Sequence, residues 1–101
     1  MIKVLIKKEE NRFISLEVKG HANSAPHGED LICAAVSAVV TGGFNSLENI
    51  KDFEAKLDEG YAYLKANKTV SSHDEIVIET IINSLKTIAE DNGEFIQIKN
   101  L

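Results

Sequence analysis

Residues 2–19 read IKVLIKKEENRFISLEVK, and the period of their apolar positions decides the fold class. Over 2–7, Ile2, Val4 and Ile6 fall on one side and Lys3 and Lys7 on the other; over 13–19 the alternation returns through Ile14, Leu16 and Val18. A period of two sends successive side chains to opposite faces, so each run predicts a strand with one buried face. The polar run from Lys8 to Arg12 between them predicts a hairpin loop.

Beyond residue 29 the period of two disappears. The Ala-rich segment 31–40 is apolar nearly all round, which predicts a central, buried helix. Gly42 and Gly43 each weaken such a helix by roughly 1 kcal/mol relative to Ala. They imply a close approach of another backbone, a bend or an early end. Residues 52–66, DFEAKLDEGYAYLKA, alternate on either side of Glu59-Gly60 and predict a second hairpin. Ser72 followed by Glu75 has the capping-box spacing, and the helix it opens carries Ile78, Ile81, Ile82, Leu85, Ile88 and Ala89 at intervals of three and four. Asn92-Gly93 is expected to end it, and EFIQIK, residues 94–99, to form a last strand. The order is ββαββαβ. It predicts an α+β fold in a single domain, with a mainly antiparallel sheet packed against two helices.

Composition narrows the function. The chain of 101 residues is 44% hydrophobic and 27% charged, ordinary values for a globular protein. No apolar run approaches the roughly 18 residues of a membrane helix. The N-terminus is too short and too quickly charged for a signal peptide, so a cytoplasmic protein with no membrane partner is expected. Eleven Lys and Arg are scattered among sixteen Asp and Glu, for a net charge of −5. That balance disfavours direct nucleic-acid binding, which needs clustered cations to displace counterions from phosphate. One cysteine excludes an internal disulfide and the usual cysteine-based zinc site. No metal and no cofactor is expected.

That cysteine lies in GHANSAPHGEDLICAAVS, residues 20–37, which also holds two of the three histidines and the only proline. Cys33 falls in the first turn of the expected helix. Unpaired N–H groups and the positive end of the helix dipole there favour a reactive thiolate. The same N–H groups are expected to receive the oxyanion of a tetrahedral intermediate. Asp30, three residues before Cys33, and Ser37, four after, share its helix face. His21, at the end of the second strand, is the candidate base, with His27 on the loop as its competitor. Gly20 and Gly28 bracket the loop as hinges. The plain structural alternative makes Cys33 a small core residue, His21 a turn residue, Asp30 a helix-start residue and Ser37 structural.

Gly20-His21-Ala22, followed after a short loop by Gly28-Glu29-Asp30-Leu31-Ile32-Cys33-Ala34-Ala35-Val36-Ser37, resembles the signature of the bacterial ribosomal-processing cysteine proteases. The resemblance implies one cysteine-protease domain over residues 1–101. Its nucleophile falls on Cys33, its histidine on His21 and its acidic position on Asp30, which either orients His21 or organises the loop; Ser37 supports. It implies an endopeptidase that removes the N-terminal extension of a large-subunit ribosomal protein, cutting after bulky apolar residues, with the 22–28 loop as a lid. It also implies a homodimer. Two rivals use the same residues: a ribosome-associated binding module without catalysis, and a thiol-redox protein, which is weakened by the lack of a resolving cysteine.

Overall fold

The computed structural model describes residues 1–26 and 29–101. The two alternating runs form β1 (Ile2–Glu9) and β2 (Arg12–Lys19), joined by a tight turn in which Glu10 and Asn11 both take positive φ. Then come α1 (Leu31–Asn45), a 3-10 turn at Ile50–Asp52, β3 (Phe53–Asp58), β4 (Tyr61–Ala66), α2 (Ser72–Glu90) and β5 (Ile96–Asn100). The five strands lie in the order β3-β4-β2-β1-β5. Three pairings are antiparallel, and β1 with β5 is parallel. The result is the expected α+β domain, with a mixed, mostly antiparallel sheet.

The inner face follows from the period of two. Val4, Val18, Ala62 and Leu57 form one row across four strands, while Lys3, Lys19 and Tyr61 lie on the outer face beside it. One detail differs from the sequence reading. A bulge between Lys7 and Lys8 shifts the register so that Phe13, not Ile14, enters the core. An extra residue in one strand reverses the facing of everything beyond it.

Both helices cover the inner face, and α2 brings Ile78, Ile81, Ile82 and Leu85 into the core. Each such side chain contributes roughly 1.5–3 kcal/mol on burial. Its N-cap is Ser71, one residue before the expected box, and the Ser71 hydroxyl accepts from Asp74 N–H at 3.2 Å. The Asp74 carboxylate, fully buried, instead accepts from the N–H groups of Glu48 (2.8 Å) and Asn49 (3.1 Å). A buried carboxylate with a donor on each oxygen escapes most of its desolvation penalty.

The expectation of a centrally buried α1 is corrected. Only Val36, Val40 and Phe44, one residue per turn, are buried, and Leu31 is 81% exposed. Ala34, Ser37 and Ala38 are small enough to look like core in the sequence, yet they face outward. The helix also runs straight through Gly42 and Gly43. A methyl group on Gly43 would lie 2.2 Å from Ile81 Cγ1, so Gly43 is the contact point with α2; Gly42 has nothing within 4 Å. Among the described residues no helix is long and apolar enough to cross a membrane.

Candidate functional site

At the end of β2 the chain turns a corner that only glycine can make. Gly20 takes φ +102°, and a methyl group there would lie 2.4 Å from the Met1 carbonyl oxygen. Its N–H donates to the Gly60 carbonyl at 3.0 Å, and the Met1 amino group donates to the His21 carbonyl. The corner is thus tied to β1 on one side and to the β3–β4 turn on the other. The exposed His21 side chain rests on that turn. A methyl group on Gly60, itself at φ +70°, would lie 2.7 Å from His21 Nε2.

Facing the corner is the first turn of α1. Asp30 is its N-cap, with Oδ1 accepting from Ile32 N–H and Cys33 N–H, each at 3.1 Å. The same carboxylate accepts from the Ser24 hydroxyl, and from Ser24 N–H at 2.9 Å. Foremost among these donors, the Ser24 hydroxyl holds the Asp30 carboxyl well below the usual carboxylate range; partial desolvation opposes it, and the Cys33 and Ser24 N–H groups reinforce it. Through these bonds the Asp30 carboxylate ties the start of α1 to Ser24. Among the described residues its hydrogen bonds run to Ser24 and the helix, not to His21.

Two of the N–H groups expected to be open for an oxyanion, those of Ile32 and Cys33, are therefore occupied. Asp30 takes those of Ile32 and Cys33 with its side chain and that of Ala34 with its carbonyl, at 3.0 Å. What reaches the sulfur comes from the corner: Ala22 N–H points at Cys33 Sγ, 3.3 Å away. Cys33 is half-buried and its thiol is free.

Sheet and helix diverge here and leave a cavity of about 570 Å³. Its floor is the inner-face row Val18, Ala62 and Leu57, with Ile2 beside it. One wall is α1, through Cys33, Val36, Ser37 and Val40. His21, Asp30 and the β3–β4 turn close the rim. The structure thus brings Cys33, His21, Asp30, Ser37 and Gly20 to one cavity. His27 and Gly28 lie outside the described residues.

Three contributors had no reading as site residues in the sequence: the Ala22 N–H, Ser24 and Gly60. Ser24 is six residues from Asp30, a separation no helical or strand period marks. Gly60 was legible only as a turn residue. Elsewhere, Glu48, His73 and Asp74 bring ligand atoms within 4.8 Å of one another. Both Asp74 oxygens already accept backbone N–H groups there.

Comparison with known proteins identifies the family. The chain is similar to the ribosomal processing cysteine protease Prp of Bacillus subtilis (strain 168), at 35% identity over 97% of this chain and 96% of that protein. It is also similar to crystal structures of an essential ribosomal processing protease Prp from S. aureus. The complex with a covalently linked product peptide gives a TM-score of 0.90 at 26% identity over the whole of both chains. The complex with a substrate peptide gives 0.83 at 25%, again over both whole chains. Residues 1–97 match the family model described as Cysteine protease Prp, and the chain belongs to that family of cysteine proteases.

Proposed function

We propose that Cys33 is the nucleophile and His21 the base of an endopeptidase that removes the N-terminal extension of a large-subunit ribosomal protein. The observation that carries this reading is the half-buried Cys33 thiol in the first turn of α1, opening into the same cavity as His21. Solvent access through that cavity suits nucleophilic chemistry there.

In this reading His21 takes the proton from Cys33, and the sulfur bonds to the scissile carbonyl carbon as the carbonyl pair moves onto oxygen. Collapse of the intermediate breaks the C–N bond, and His21 returns the proton to the leaving amine. Water, deprotonated by the same imidazole, then displaces the sulfur from the thioester. Asp30 is a positioning residue that fixes the helix start and the loop through Ser24. Gly20 sets the corner that aims His21, and Ser37 offers a hydroxyl one turn below the sulfur.

The apolar floor suits a bulky apolar side chain next to the cut, and the relatives named above are described as ribosomal processing proteases, one of them with a substrate peptide. An acidic chain, at −5, suits a basic ribosomal protein through long-range steering. The protein is placed in the cytoplasm on the same reading, as a homodimer that gains apolar burial a chain of this size lacks alone; light scattering in solution tests the pairing. Cys33→Ala should abolish cleavage of the extended ribosomal protein while its thermal melt stays cooperative. Wild-type cleavage by that variant would refute the assignment.

A further inference from the structure

With Ile32 and Cys33 N–H engaged by Asp30, the oxyanion of the proposed reaction needs another donor. We infer that the backbone N–H of Ala22 is that donor, turning from the Cys33 sulfur in the resting protein to the negative oxygen once the sulfur has added to the substrate. The inference rests on the reading of Cys33 as nucleophile and names the group that completes its site.

Three observations carry it. The N–H lies 3.3 Å from Sγ, and the oxyanion forms only two bonds away from that sulfur. Ala22 is 3% exposed, so water competes little for its N–H. The donor is also held before reaction begins. The His21–Ala22 peptide is trans, so its carbonyl and N–H point in opposite directions. The carbonyl is held by the Met1 amino group and the N–H faces the sulfur. The Gly20 bond to Gly60 fixes the preceding residue. A donor that needs no reorganisation is what stabilises a developing charge most.

As the S–C bond forms and the carbonyl pair moves to oxygen, the N–H exchanges a weak sulfur acceptor for a charged oxygen. The bond is therefore worth more in the transition state than in the resting protein, which is the condition for catalysis.

The test replaces this single amide by an ester. The chain can be assembled from a synthetic 1–32 thioester and a 33–101 fragment joined at Cys33, with the lactate analogue of alanine at position 22. Against the all-amide protein assembled the same way, kcat should fall about 10²–10³-fold with KM within about threefold. Affinity for a peptide aldehyde, whose adduct carries the same oxygen, should fall in parallel. Alkylation by iodoacetamide, which forms no oxyanion, should change by no more than about threefold. Unchanged kcat and aldehyde affinity would overturn the inference, as would alkylation falling in step with kcat. Should the ester protein fail to fold, the intact protein gives the answer by amide NMR. The Ala22 proton should move downfield on aldehyde binding, and a static signal overturns the inference. Retained cleavage by Cys33→Ala would instead remove the nucleophile assignment, whatever the ester does.

Discussion

Gly60→Ala separates the geometry of the site from the stability of the fold. Two effects follow from the position. An L-residue at φ +70° is strained, by about 1 kcal/mol, which lowers Tm by roughly 4–8 °C in a domain of this size. The added methyl would sit 2.7 Å from His21 Nε2, whereas ordinary contact begins near 3.4 Å, so the ring must retreat by about 0.7 Å. Retreat is easy for an exposed side chain and adds little further cost in stability. For a proton-transfer group it is severe: a misplacement approaching 1 Å reduces rate by roughly 10–100-fold. Gly42→Ala is the control, with open space around the position. It should gain about 0.5–1 kcal/mol and keep full activity. The assays are a thermal melt and steady-state cleavage of a peptide spanning the ribosomal-protein cut site. A Gly60→Ala protein with the expected fall in Tm but wild-type kcat would refute the idea that the bare turn seats the imidazole.

Other expectations follow from single contacts. Gly43→Ala forces a methyl against Ile81 at 2.2 Å and should cost about 1–3 kcal/mol by overpacking; denaturant melts of this variant and of Gly43→Ala/Ile81→Ala check it, the double variant showing a non-additive recovery. Asp30→Asn should loosen the loop and the helix start together, seen as faster amide exchange at Ser24 and Cys33, with kcat reduced while Cys33 alkylation persists. Because the Asp30 carboxyl is depressed in the folded protein, the stability it contributes is complete above its unfolded value of about 4 and declines as pH falls from there towards the folded value. The Asn variant should lack that acid-limb component of the melting profile, and an identical acid limb in both proteins would contradict the latch.

Strand and helix identities were legible because burial here follows period: Ile2, Val4 and Ile6, or Ile78, Ile81, Ile82 and Leu85, repeat at the spacing of the element that buries them. The facing of Phe13 was not, since a bulge depends on how two strands pair and not on either one alone. Nor was the open face of α1. Alanine and serine are small enough for a core and polar or short enough for a groove, and only the strands left uncovered beneath them decide which. At the site, Cys33, His21 and Asp30 stood out by chemical type and spacing. The Ala22 donor and the Gly60 seat did not, because both act through backbone, and backbone groups are the same at every position.

The parallel pairing of β1 with β5 sets an order of events in synthesis. Ile2 lines the cavity, and its N–H is held by the Phe95 carbonyl at 2.7 Å. A growing polypeptide that has emerged only through α2 still leaves β1 with an unpaired edge, and this longest-range contact closes last. A complete cavity thus waits on β5, the strand farthest in sequence from the one it must join.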